Sequence, residues 1–239
     1  MTAYDIGAPP LHIISGMPFE ARALRRALPP RSFHLSFSGA NAARARELAF
    51  AAAASGPAGL VSFGLAGGLD PALVPGTLLV PAMLVDARNN RYGVTPLWRA
   101  ALQFAARSNG IEIVEAPLAG VDAVAASPRD KERLFAERGA CAVDIESLFV
   151  AEAAAHYDLP FVVLRAVADP ASRAIPAAAQ AAVAGGRIRL MPIVRGIAAQ
   201  PSLAGELFGL ARDTRAAQRA LALASHGLLP ALLMLLRPR

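Results

Sequence analysis

Apolar and polar positions fall into blocks along the chain, and the period of each block predicts an element. LHIISGM (residues 11–17) is a short apolar run ending at Gly16, the pattern of a buried strand. PFEARALRRAL then takes helical spacing, with Leu24 and Leu28 four apart and Pro18 at its start. FHLSFSGA predicts a second strand closing at Ser38-Gly39. NAARARELAFAAAASG predicts a helix capped by Asn41 and stopped by Gly56-Pro57. GLVSFGLAGG continues as an apolar strand that runs into Gly64, Gly67 and Gly68, and a proline-punctuated turn leads to the strand TLLVPAMLVD.

ARNNRYGVTP predicts a loop or hairpin, LWRAALQFAARSNG a helix closed by Asn109-Gly110, and IEIVEAPLAGVDAV further strand. Ser127-Pro128 supplies a cap and a first-turn proline for a helix that Gly139 ends. The strand ACAV, a helix over about 146–157 and the strand FVVLRAVAD follow; two helical stretches broken by Gly227 and Pro230 fill 203–236. Strands alternating with helices predict an α/β sheet covered on both faces.

Composition narrows the class. With 55% apolar and 18% charged residues in 239 positions, the chain buries a large core and is not a disordered tail. Its single cysteine, Cys141, excludes an intramolecular disulfide framework and fits a reducing, cytoplasmic compartment. No export signal is visible in MTAYDIGAPP, and no uninterrupted apolar run reaches the length of a spanning helix. The net charge of +6 comes almost wholly from arginine, since Lys131 is the only lysine among 24 basic residues. These arginines are dispersed, without dense blocks or interleaved aromatics, so nucleic acid is not an expected partner. The histidines lack metal spacing, and no nucleophile-elbow serine motif occurs.

Candidate chemistry sits at the strand ends, where open α/β sheets bind ligands. FGLAGG is neither a dinucleotide fingerprint nor a P-loop; it is a tight turn or a backbone free to approach a ligand. Asp144 and Glu146 lie two apart at a strand-to-helix junction, where a helix start favours the ionised carboxylate, an acceptor suited to sugar hydroxyls. Capping alone is the competing reading, and it suits Asp144 best. Asp169 closes a nearly all-apolar strand, where desolvation raises its pKa and a retained proton can pass to a leaving group; an Asp-Pro turn is the plainer reading. Glu20, just past the first strand, can activate water or simply favour a helix start.

Together these stretches resemble the nucleoside phosphorylase and methylthioadenosine/S-adenosylhomocysteine nucleosidase superfamily over roughly residues 11–172. FGLAGGLDPALVPGTLLVP is similar to its strand–glycine turn–strand, VDIES to its V-E-M-E segment, RAVADPAS to its R-A-I-S-D segment, and SGMPFE to its opening strand and acid. Within the superfamily, FGLAGGLDP, GVDAVAASPRDK and VDIES resemble the hopanoid-associated phosphorylase branch.

The resemblance implies a single three-layer α/β/α domain with a central mixed sheet over 1–202 and a helical extension over 203–239. It implies release of adenine by N-glycosidic cleavage, with adenosylhopane as substrate. The alternatives are a methylthioadenosine/S-adenosylhomocysteine nucleosidase and an inactive nucleoside-binding module. Glu20 and Asp169 take catalytic roles, and Glu146 with Ile145 binds ribose. Gly16, Gly39, Gly67 and Arg88 bind phosphate or the nucleophile, and Val124 and Ala125 line the base pocket. Arg22 and Arg44 are further candidate phosphate partners. Leu65 stands where many relatives carry a nucleophile-contacting serine, and Asn41 where a glycine stands in the S-G-x-G loop, which weakens the case for phosphate. No cofactor is implied beyond inorganic phosphate as a co-substrate, and phosphorolysis and hydrolysis both stay open. The implied partners are a small or lipid-linked nucleoside and a second copy of the chain in a homo-oligomer. The apolar tail ALALASHGLLPALLMLLRPR packs on the domain or contacts the inner membrane peripherally.

Overall fold

A computed structural model describes residues 9–183 and 189–236. In chain order the elements are β1 (Leu11–Ser15), α1 (Leu24–Ala27), β2 (Phe33–Phe37), α2 (Ala42–Ala54), β3 (Gly59–Gly68), β4 (Leu78–Leu79), β5 (Met83–Val85), β6 (Arg91–Gly93) and α3 (Pro96–Ser108). There follow β7 (Ile113–Val114), β8 (Leu118–Gly120), α4 (Pro128–Arg138), β9 (Ala142–Asp144), α5 (Ser147–His156) and β10 (Phe161–Asp169). The chain continues through α6 (Ala177–Val183), α7 (Leu190–Ala199), α8 (Leu203–Gly227) and α9 (Pro230–Leu235). A ten-stranded mixed sheet runs in the order β6-β5-β8-β9-β3-β10-β4-β7, with β1 added to β3 and β2 to β1.

Helices cover both faces, as the alternation predicts. Along β3 and β10, successive side chains enter opposite cores: Val61, Phe63, Val162 and Leu164 face α1, α3, α8 and α9, whereas Leu60, Phe161 and Val163 face α2 and α5. β10 is buried at all nine positions, so its apolar run is that of a strand covered on both sides.

Three expectations need revising. The helix expected from Pro18 is a short 3-10 turn at Glu20–Arg22 followed by the four-residue α1, because Glu20 turns its side chain back onto Gly16 and Met17. IEIVEAPLAGVDAV is two short strands, since Pro117 interrupts it. Within the C-terminal stretch Leu203–Leu235, an 18-residue window does reach the length and apolar content of a membrane span, with a mean hydropathy of 1.2. Much of that apolar content serves the fold: Ala217, Leu221, Leu228, Leu229, Leu232 and Leu233 lie in the same core as β3 and β10.

The long strand β3 positions the site. β10 pairs with it in parallel from Leu60 to Gly67. On the opposite edge β1 runs parallel as far as Ser62, and β9 joins antiparallel at Gly67 and Gly68. The ends of β1 and β9 therefore point at each other across residues 63–66, and whatever follows Ser15 and Asp144 meets there.

Candidate functional site

Glu20, Asp144 and Glu146 converge on that gap around Arg165, which rises from β10 opposite Gly64 and is fully buried. The Arg165 Nη2 lies 2.5 Å from Asp144 and 3.3 Å from Glu146 Oε2. The guanidinium also donates to Ser62 Oγ at 2.7 Å, Ser147 Oγ at 3.3 Å and the Leu65 carbonyl at 3.2 Å. A buried guanidinium is tolerated only when its charge and its fork of donors are satisfied in this way.

Each acid is held by its own local structure. Glu20 Oε2 accepts from Ser15 Oγ at 2.8 Å, Gly16 N at 3.0 Å and Met17 N at 3.1 Å, so the turn after β1 wraps its own carboxylate. Its other oxygen takes no hydrogen bond among the described residues. Burial, with the Glu146 carboxylate second, pushes the Glu20 carboxyl up to about 7, against the pull of Arg165 and the N–H donors. Glu146 Oε1 accepts from Ser38 Oγ at 2.7 Å, which brings the loop after β2 into the site. Asp144 accepts from Ser147 N at the start of α5, while burial lifts its carboxyl to about 6 against Arg165.

Two glycines make the convergence sterically possible. A Cβ on Gly16 would lie 3.1 Å from Glu146 Oε1 and 3.3 Å from Glu20 Oε2. On Gly64 it would lie 2.6 Å from both Glu20 Oε2 and Arg165 Nη1.

Asp169 stands further along the sheet, beside Gly67, after a register shift that follows Val167. Three residues of strand separate the Gly64 and Gly67 levels, about 10 Å at the usual rise. Asp169 Oδ2 accepts from the Lys131 ammonium of α4. Burial pushes the Asp169 carboxyl upward, Lys131 pulls it back, and the net displacement is upward. The apolar strand alone had suggested that rise; the lysine opposing it is new.

The remaining expected residues divide. Ile145 is buried between Asp144 and Glu146, and Gly67 abuts Asp169 Oδ2. Gly16 and Gly39 line the site, but their amides are not free for an anion: Gly16 N serves Glu20, and Gly39 N donates to the Gly16 carbonyl at 2.8 Å. Arg88 is exposed in the turn between β5 and β6, three strands from β3, and no hydrogen bond or ion pair among the described residues links it to the acids. Arg22 and Arg44 are exposed as well, and Arg44 Nε donates to the Phe37 carbonyl. Ala125 is buried against Leu69, Leu134 and Val143, whereas Val124 is exposed beside it. Among the described residues no group of three or more His, Cys, Asp or Glu is arranged to hold a metal ion.

Sequence reasoning missed Arg165, Lys131 and the serines at 15, 62 and 147, whereas Ser38 closes one of the strand ends it singled out. Two signals were present: one charge inside the otherwise apolar FVVLRAVA, and one lysine where every other basic residue is arginine.

Fold and site thus define an α/β/α protein that gathers acids at the ends of its strands. The sequence profile described as the phosphorylase superfamily matches residues 37–187, and the chain belongs to that superfamily of enzymes. Among solved structures it is similar to the futalosine hydrolase of Helicobacter pylori, with a TM-score of 0.69 at 17% identity over 95% of this chain and 97% of the other. The 5'-methylthioadenosine/S-adenosyl homocysteine nucleosidase of Helicobacter pylori aligns with a TM-score of 0.65 at 18% identity over 91% and 97%. A putative 5'-methylthioadenosine/S-adenosylhomocysteine nucleosidase from Francisella philomiragia aligns with a TM-score of 0.69 at 12% identity over 94% and 98%. These likenesses show the fold. Comparison with curated proteins gave no match.

Proposed function

We propose that the chain cleaves the N-glycosidic bond of an adenosine-type nucleoside by hydrolysis. The observation that carries this reading is the set of acids along one strand: Glu20 against Gly64, with Glu146 beside it across Gly16, and Asp169 against Gly67, three residues or about 10 Å of strand further on. Glu146 accepts from the sugar hydroxyls. Glu20, with one oxygen fixed by three donors and its pKa near neutrality, takes the proton of an attacking water through the other. The two carboxylates flank the positive charge that builds on the sugar. Asp169 donates a proton to a ring nitrogen of the departing base.

Water suits this site better than phosphate. Three carboxyl groups share one guanidinium, whose donors already serve Ser62, Ser147, Leu65, Asp144 and Glu146. A phosphate dianion would enter next to uncompensated negative charge.

The substrates named for the similar solved structures, 5'-methylthioadenosine and S-adenosylhomocysteine, are the leading candidates. Adenosylhopane is a second reading. It is favoured by exposed apolar side chains, Leu190, Met191 and Val194 of α7 and Phe208 of α8, which offer a surface to a lipid-linked substrate or a bilayer.

The test is incubation with each of the three nucleosides, with and without phosphate, following adenine and the sugar product by chromatography. The expected result is adenine with free sugar in phosphate-free buffer. Release that requires phosphate and yields a sugar 1-phosphate would overturn hydrolysis, and no adenine from any substrate would overturn the activity.

A further inference from the structure

The only lysine of the chain is fully buried, and its surroundings assign it a purpose. α4 begins at the Ser127 cap with Pro128 in its first turn, so Lys131 and Leu134, three apart, turn inward together. The Lys131 Nζ meets Asp169 Oδ2, the Pro170 carbonyl at 2.9 Å and the Arg173 carbonyl at 3.0 Å. Three acceptors and no donor are the surroundings of an ammonium, all of whose protons are then engaged. Two of these bonds pin the turn that follows β10, and the third pins the carboxylate at its head.

A lysine that only held the turn would not need to spend its third proton on this carboxylate. Asp169 is buried and makes no other hydrogen bond among the described residues, so Oδ1 is left for a ligand. The charged groups around Asp169 are few. Lys131 reaches it from α4, Arg173 of the following turn acts on it only at longer range, and Asp213 of α8 binds Arg173 at 2.7 Å. Arginine at position 131 would present a wider, planar fork in place of three divergent donors.

We propose that Lys131 is the positioning residue for Asp169, fixing Oδ2 so that Oδ1 faces the base and stabilising the carboxylate that proton transfer leaves behind. This rests on the nucleoside-cleaving reading given above. In the step concerned, the C–N electron pair moves onto the departing base as the Oδ1 proton passes to a ring nitrogen of that base. The negative charge released on Asp169 comes to rest against an ammonium already in place. Burial raises the pKa of the acid and so favours its protonated form beforehand, and Lys131 makes its conjugate base tolerable afterwards.

The experiment compares wild-type protein with Lys131→Met and Lys131→Arg on two substrates. One is an adenosine-type nucleoside, whose base must be protonated to leave; the other is 4-nitrophenyl riboside, whose phenolate leaves unaided. For Lys131→Met we expect kcat on the nucleoside to fall by about tenfold or more, with KM within about threefold. The ratio of nucleoside to nitrophenyl cleavage should fall by about the same factor, and the alkaline limb of the kcat profile should move up by about half a pH unit or more. Lys131→Arg should recover part of the ratio. Equal losses on both substrates, or an unmoved alkaline limb, would overturn the proposal in favour of a purely structural lysine, whatever the variants' unfolding temperatures. If wild-type protein cleaves neither compound, the activity itself has failed and the inference falls with it.

Discussion

Replacing Glu20 by Gln should stabilise the fold at neutral pH and abolish activity, and the two effects share one cause. Glutamine keeps an oxygen for the three donors that hold position 20, Ser15 Oγ, Gly16 N and Met17 N, so the local geometry survives. What disappears is a buried charge beside Glu146. Burial first and that neighbour second lift the Glu20 carboxyl from 4.5 to about 7. A raised folded-state pKa means that the folded protein binds the proton more tightly than the unfolded chain. The corresponding stability is fully present below pH 4.5 and is lost as pH climbs to about 7. At 1.36 kcal/mol per pKa unit, that loss is about 3 kcal/mol. The Gln variant has nothing to lose at this position, so its advantage over wild type should be near zero at pH 4.5 and reach about 3 kcal/mol at pH 8. Asp144, raised to about 6, makes both proteins less stable over part of the same range, so only their difference reports on Glu20. Urea unfolding of both proteins at intervals from pH 4.5 to 8 supplies that difference. Adenine release over the same range should rise through about pH 7 in wild type as the base ionises, and be lower by about a hundredfold or more in the variant. A stability difference that does not grow with pH, or a variant less stable than wild type at pH 8, would refute the assignment of Glu20 as a destabilised, buried base.

Arg165→Met removes the one cation inside the acid cluster and should cost about 3–5 kcal/mol at pH 7.5, with a smaller loss at pH 5, where Asp144 and Glu20 are protonated; urea unfolding at the two pH values checks this. Gly64→Ala places a methyl 2.6 Å from Glu20 Oε2 and Arg165 Nη1 and should cost about 1–3 kcal/mol together with most of the activity. Gly93→Ala, whose methyl would meet open space, should change neither quantity by much more than about 0.5 kcal/mol or its equivalent in rate. Leu232→Ala, at a fully buried position of α9, should lower stability by about 2–5 kcal/mol and shift one cooperative transition; a separate early transition would show a tail that unfolds by itself.

The parts of this molecule legible in the sequence are those written in local physics. β3 and β10 are apolar runs bounded by glycine or Asp-Pro, and α4 and α8 carry their stops at Gly139 and Gly227. The acids at 20, 146 and 169 stand out because a carboxylate at the end of a buried strand contradicts its surroundings. Their meeting point is another matter. It depends on β9 running antiparallel to β3 while β1 runs parallel, and a three-residue strand does not encode its direction. Without that direction, Glu20 and Glu146 cannot be placed on either side of Gly16, and the amides of Gly16 and Gly39 appear free when they are committed.

Arg165 and Lys131 illustrate a different limit. Dispersed arginine tells little about any one position, so Arg165 is recognised only by the apolar residues on either side of it. The lysine inverts that logic: against a background in which arginine supplies every other positive charge, a single lysine marks a place where a compact, three-donor cation is required. It holds such a place, with three acceptors around one nitrogen and one of them the carboxylate of Asp169. In a chain of biased composition, the residue that departs from the bias therefore carries more chemical information than the motif around it.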